Sequence, residues 1–198
     1  PDTDRVFLHY PGTNNTFTVC DLDINKIKNA DIFHFGYPPL MRRMYQDQGQ
    51  ELVKILKNIK ELGVVTSLDM AMPDPGSDAG KTDWSRILKN VLPYVDIFLP
   101  SLEEILYMLG DKNYNLEKDG FDIDLLQETG EKLLQLGANI VVLKLGEQGL
   151  YLQTSMQKNN SSLSDLVDIK DWSKQYLLSP CYQAEVKGTT GAGDATIA

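Results

Sequence analysis

Gly188-Thr189-Thr190-Gly191-Ala192-Gly193-Asp194-Ala195-Thr196-Ile197-Ala198 closes the sequence. Three consecutive small residues, then an Asp, then residues suited to a first helical turn describe a loop whose N–H groups point outward at a helix N-terminus. Such a loop attracts anions. An Asp beside it would repel the ligand, unless it takes a proton from a nucleophile that attacks the bound anion. Phosphoryl transfer to a hydroxyl needs that pairing. The small residues alone are equally explained by a strand passing tightly into a helix. A dinucleotide fingerprint fits less well, because Gly191 and Gly193 lack a third Gly at the required spacing.

Composition narrows the classes. The chain's 198 residues suffice for one domain with a substantial core. A formal net charge of -9 argues against nucleic acid as a partner, since that binding relies on a basic surface. It leaves room for a small phosphorylated ligand, which a few N–H groups and a metal ion hold locally. No apolar run approaches the roughly 20 residues that span a bilayer, so no membrane is expected as a partner. Pro1-Asp2-Thr3-Asp4-Arg5 does not read as a signal peptide. Cys20 and Cys181 share no metal-ligand spacing and are expected as free thiols in a reducing compartment, by default the cytoplasm. The missing initiator Met and a stop inside a helical turn lead us to expect a piece of a longer chain.

Between these ends, apolar runs of strand length alternate with amphipathic helices. Strands are expected at Arg5–Tyr10, Phe17–Val19, Ala30–Gly36, Val64–Leu68, Asn139–Lys144, Leu150–Leu152 and Tyr176–Lys187. Helices are expected at Asp23–Asn29, Tyr45–Leu62, Trp84–Leu92, Asp124–Leu136 and, short, Asp165–Ser173. Pro11–Asn15 reads as a turn, and Met70–Lys81 and Asp111–Asp122 as loops. The pattern predicts an α/β fold around a central, mainly parallel sheet. Ligands gather at the carboxyl ends of such strands, which makes Gly36, Tyr37 and Asp69 candidate substrate neighbours. For Asp69 the competing reading is a solvated loop acid. His34, inside an apolar run, reads as a hydrogen-bonded core residue. Ser101 and Glu104 have the spacing of a capping box. Gly146 and Gly149 suit close approach to a phosphate, or a plain hairpin turn.

The closing stretch resembles the C-terminal signature Asp-Thr-x-Gly-Ala-Gly-Asp of the ribokinase-like, or PfkB, carbohydrate kinases. That resemblance implies a three-layer α/β/α ribokinase-like fold, with residues 1–198 forming one partial domain and residues 5–22 holding strands of a small β lid. It implies Asp194 as catalytic base, the amides of Gly191, Ala192 and Gly193 as the anion hole, and Thr190 at the nucleotide. Gly188 stands where the family has its leading Asp. Val95–Glu104 is similar to the family segment Asp-x-x-x-Pro-Asn-x-x-Glu, with Ser101 in place of the Asn beside the nucleotide and Glu104 toward Mg²⁺. Lys144-Leu145-Gly146-Glu147-Gln148-Gly149 resembles the nucleotide loop Thr-x-Gly-x-x-Gly, with Lys144 at the Thr position. Asn14 or Asn15 would face the substrate from a Gly-x-Asn corner, or only shape a turn.

Together these imply ATP and Mg²⁺, with a monovalent cation as a further candidate, a sugar-like acceptor, and homodimerisation through the lid. The acceptor-choosing residues would precede Pro1, and the adenine pocket would follow Ala198. Two rivals stay open. One is a nucleoside or vitamin-precursor kinase of the same fold; the other is a non-catalytic sugar or nucleotide sensor, suggested by Gly188 and Ser101.

Overall fold

A computed structural model describes residues 10–155, 161–183 and 191–197. Six strands form one sheet in sequential order: β1 (Ile32–Phe35), β2 (Val65–Leu68), β3 (Ile97–Phe98), β4 (Ile140–Lys144), β5 (Leu150–Thr154) and β6 (Tyr176–Ser179). The first four run parallel, with Ile32 beside Val65, Ser67 beside Ile97 and Ile97 beside Ile140. β5 and β6 add antiparallel, with Lys144 opposite Leu150 and Leu150 opposite Ser179. The expected α/β class is therefore present. Parallel strands also end at a common edge, so β1 to β4 deliver their last residues to one place.

The helices in chain order are α1 (Ile24–Ile27), α2 (Arg42–Tyr45), α3 (Gln50–Glu61), α4 (Trp84–Val91), α5 (Leu102–Leu109), α6 (Leu116–Asp119), α7 (Ile123–Gln135), α8 (Ser161–Ser164), α9 (Ile169–Trp172) and α10 (Ala192–Ile197). α3 forms because Leu52, Ile55, Leu56 and Ile59 recur at helical spacing and are buried on one stripe. Side-chain caps start the next long helices: Asp83 accepts from the Arg86 amide at 3.1 Å and Asp122 from the Leu125 amide at 2.8 Å. Phe35, Leu68, Phe98, Val141, Leu143 and Tyr151 pack into the main core with α3, α4, α5 and α7. Their alternates Val65, Ile97, Ile140, Val142 and Leu152 join a smaller cluster with Leu163, Val167 and Trp172 on the opposite face.

At the amino edge of the sheet the fully buried Asp96 ties three strands to α3. Its carboxylate accepts from Lys60 Nζ at 2.8 Å, the Thr66 amide at 3.0 Å, Thr66 Oγ1 at 3.0 Å and Asn139 Nδ2 at 3.0 Å. Satisfied on this many sides, the charge is held as a structural bracket.

Several boundaries differ from the sequence reading. Phe17–Val19 is not a strand: 3-10 turns occupy Gly12–Thr16 and Val19–Asp21. The cause is local, since Asp21 Oδ2 accepts from the Thr18 amide at 2.8 Å and from Thr18 Oγ1 at 3.1 Å, bending the chain that a ladder would keep straight. Of the expected Arg5–Tyr10 strand only Tyr10 lies among the described residues, as exposed coil. The helix expected from Tyr45 breaks at Asp47, Gln48 and Gly49, whose φ values are 49°, 60° and 77°, and resumes at Gln50. Gly49 is required there, because a Cβ would lie 2.8 Å from Ile87 Cγ2. The Asp111–Asp122 loop carries the single turn α6.

Candidate active site

Each strand of the parallel set ends in a polar residue at the same edge. Beyond β1 come Gly36 and Tyr37, beyond β2 comes Asp69, beyond β3 comes Ser101 at the start of α5, and β4 ends in Lys144. Main-chain bonds hold the ends in register: the Asp69 amide donates to Phe35 O at 3.0 Å and the Lys144 amide to Pro100 O at 3.0 Å. Ser101 pairs with Lys144 in an isolated parallel bridge, which sets the first turn of α5 beside β4.

Lys144 Nζ meets Asp69 Oδ1 at 2.6 Å, with the two side chains 13% and 1% exposed. Asp69 is thus a buried ion-pair member, not a solvated loop acid. Its second oxygen, Oδ2, is buried with no hydrogen-bond partner among the described residues. Burial pushes the Asp69 carboxyl above its ordinary range, with the Lys144 contact opposing. The Met70 amide near the same carboxylate also opposes that rise, at a geometry short of a full hydrogen bond to Oδ2, so this oxygen retains capacity for a further donor.

Glu104 sits in the first turn of α5, where both bonds of the capping box form. Its Oε2 accepts from the Ser101 amide at 2.8 Å, and Ser101 Oγ accepts from the Glu104 amide at 3.3 Å. Burial raises its carboxyl, with the Lys144 charge pulling the other way. The capping reading of this pair is therefore what the fold contains, and one carboxylate oxygen of Glu104 is committed to it. No cluster of three or more potential metal-ligating side chains occurs among the described residues. What Glu104 leaves for a hard cation such as Mg²⁺ is its second carboxylate oxygen, which would need waters and substrate phosphates to complete a shell.

The closing stretch folds as expected from Gly191 on. Ala192–Ile197 is helical, the Ala195 amide donates to Gly191 O at 2.9 Å, and Asp194 is exposed. Gly191 has φ 79°, the left-handed conformation that favours Gly. Among the described residues, none of the amides of Gly191, Ala192 and Gly193 donates to a protein acceptor. A Cβ at Gly193 would stand 4.0 Å from Lys144 Nζ, so the loop and the lysine converge. Gly188 and Thr190 lie outside the described residues.

Tyr37, named from its position alone, proves to touch Asp194: its hydroxyl donates to Asp194 Oδ1. That bond, with burial and the negative field of Asp194, Asp69 and Glu104, raises the phenol well above its ordinary value. His34 is not a core residue. It is exposed on the thinly covered face of β1, with Nδ1 3.0 Å from Ser67 Oγ across the β1–β2 register. Burial lowers its imidazole, while Asp69 and Asp194 pull it up.

Four expected site residues remain: Asn14, Lys144, Gly146 and Gly149. Asn14 is exposed in the first 3-10 turn, and it is Asn15 whose Oδ1 accepts from the Arg42 amide at 3.0 Å. Lys144, at the end of β4, turns its Nζ to Asp69 Oδ1. The two glycines make the β4–β5 hairpin, where a Cβ on Gly149 would lie 2.0 Å from Ser179 O while one on Gly146 meets nothing within 4 Å. Gly149 is fixed by the approach of β6. The sequence offered a signal for the Asp69–Lys144 pair, since two neighbouring apolar strands each end in a charge, but the pairing needs their shared edge.

Comparison with known proteins follows the same lines. The model of the family described as pfkB family carbohydrate kinase matches residues 1–198. An uncharacterized sugar kinase from Archaeoglobus fulgidus is 27% identical over 192 residues, covering 97% of this chain and 60% of that protein. The structure of Arabidopsis thaliana ribokinase complexed with ribose and ATP matches with TM-score 0.58 and 19% identity over 89% of this chain and 44% of that one. The crystal structure of Xylella fastidiosa fructokinase with bound ATP matches with TM-score 0.61 and 16% identity over 92% and 47% respectively. The chain therefore spans 60% of the length of the Archaeoglobus protein and under half of the two kinases of known structure, and the structural likenesses establish the ribokinase-like fold. With the family's pattern running through all 198 residues and Gly191–Asp194 of its closing signature standing at the carboxyl edge of a parallel sheet, the chain belongs to the pfkB family of carbohydrate kinases.

Proposed function

We propose that the protein containing this chain transfers the γ-phosphoryl group of ATP to a hydroxyl of a sugar or sugar derivative. The observation that carries this reading is Asp194, exposed directly behind Gly191-Ala192-Gly193 at a helix start, bonded to Tyr37 beyond β1, with Gly193 approaching Lys144 Nζ. Asp194 accepts the proton of the attacking hydroxyl. The amides of residues 191–193 hold the migrating charge, and Lys144 adds a cation on the same side. Asp69 Oδ2 orients a second hydroxyl of the acceptor by accepting its hydrogen, which satisfies an otherwise orphaned atom. Glu104 and neighbouring waters would hold Mg²⁺, whose chemistry is to neutralise the triphosphate. The exposed thiols of Cys20 and Cys181 suit a reducing compartment, in keeping with the cytoplasm.

The test is ATP turnover by the full-length protein against a panel of sugars, nucleosides and vitamin precursors. Turnover with sugars is expected, and Asp194→Asn should lower it about 10³-fold, within the usual weight of a general base, with nucleotide affinity little changed. Nucleotide binding without turnover of any acceptor would favour a sensor, and undiminished turnover by Asp194→Asn would remove the assigned base.

A further inference from the structure

Tyr37 departs from the ordinary backbone of its neighbours in the site. It adopts φ 59° and ψ 46°, a left-handed conformation unusual for a bulky residue. The next turn locks it there. Buried Pro38 and Pro39 open a 3-10 turn, and the Leu40 amide donates to Tyr37 O at 2.9 Å. An outlier so held at the end of a strand is a reason to ask what the side chain is aimed at. It is aimed at Asp194, 157 residues away in sequence, whose Oδ1 accepts the phenol hydrogen.

We propose that the Tyr37 hydroxyl occupies the place of the acceptor hydroxyl on Asp194 Oδ1 and thereby holds that oxygen of the exposed base against water until an acceptor displaces it. The inference rests on Asp194 being the base. A site loaded with ATP and no acceptor holds water, and hydrolysis is the competing reaction. In it a water oxygen bonds to the γ-phosphorus, the bond to the bridging oxygen breaks with its electron pair leaving on ADP, and the water proton passes to Asp194. Water that would use Oδ1 must first break the bond from Tyr37. A single water gains little in exchange, whereas a polyol that also engages Asp69 Oδ2 draws on several contacts to displace the phenol. The phenol is a guard and not a nucleophile, because Asp194, Asp69 and Glu104 surround it with negative charge and keep its proton on.

The experiment is steady-state phosphate release from ATP by the full-length protein with no acceptor present, comparing wild type, Tyr37→Phe, Asp194→Asn and the double variant. Tyr37→Phe keeps the ring and should raise hydrolysis about tenfold, the weight of one hydrogen bond, and Asp194→Asn in the same molecule should abolish the rise. A merely structural lesion would lower hydrolysis and transfer together. Hydrolysis unchanged or lowered in Tyr37→Phe, with transfer still dependent on Asp194, overturns the guard and leaves the base in place. Transfer that survives Asp194→Asn overturns both. Labelled phosphate found on Tyr37 of the wild type by mass spectrometry also overturns the guard, since the hydroxyl would then be an acceptor itself.

Discussion

Lys144 and Asp69 show how one contact at residue scale serves both stability and chemistry. Their charges meet at 2.6 Å with almost no solvent on the carboxylate, so removing either leaves the other buried and uncompensated. Lys144→Met should lower stability by about 3 kcal/mol, the low end of the range for breaking a buried pair. Lys144→Met with Asp69→Asn should recover most of that loss, as read from urea midpoints. A single variant as stable as wild type would mean that the pair is not desolvated in solution. Tyr37 is the other residue whose meaning is local and costly. Its left-handed backbone costs about 1–2 kcal/mol, offset by the buried prolines that follow it.

At the scale of an element, α5 joins structure to the site through its cap. Glu104 closes the first turn while its charge lies beside Asp69 and Lys144. Its carboxyl is raised above 4.5 by burial, so the folded chain holds this proton at pH values where the unfolded chain has released it. Native protein then binds more protons than unfolded protein between the ordinary and the raised value, and stability rises as pH falls through that window. Glu104→Gln retains the cap, because Gln serves the same position of the box, and removes the titration. The slope of unfolding free energy just above pH 4.5 should flatten without vanishing, since Asp69 contributes a slope of the same sign. An unchanged slope would show that Glu104 is solvated. If the variant also weakens the Mg²⁺ dependence of turnover, the remaining carboxylate oxygen has a second duty.

Over the whole molecule, the parallel sheet separates two kinds of buried carboxylate. Asp96 at the amino edge has donors on every side and brackets β2, β3 and β4 to α3. Asp69 at the carboxyl edge keeps one oxygen without a partner among the described residues. The first arrangement resists change and the second invites a ligand. Asp96→Ala should destabilise by about 3–5 kcal/mol, because it strands Lys60 and the Thr66 amide, while the variant that remains folded keeps its nucleotide affinity. A loss of affinity larger than the loss of folded protein would count against this division of the sheet.

What was legible in the sequence was whatever depends on neighbours a few residues apart. Helical spacing gave the buried stripe of α3, Ser101 and Glu104 gave their own cap, and Gly191-Ala192-Gly193-Asp194 gave the loop and its exposed acid. Local signals also misled where a competing local bond was hidden, as at Thr18 and Asp21, which fold a turn out of an apparent strand. Only the tertiary structure decided that Lys144 meets Asp69, that Gly149 yields to Ser179, and that Tyr37 reaches Asp194. These partners are tens to more than a hundred residues apart, and no periodicity along a chain encodes which strand ends share an edge. That is set when the parallel sheet assembles and brings its carboxyl ends together.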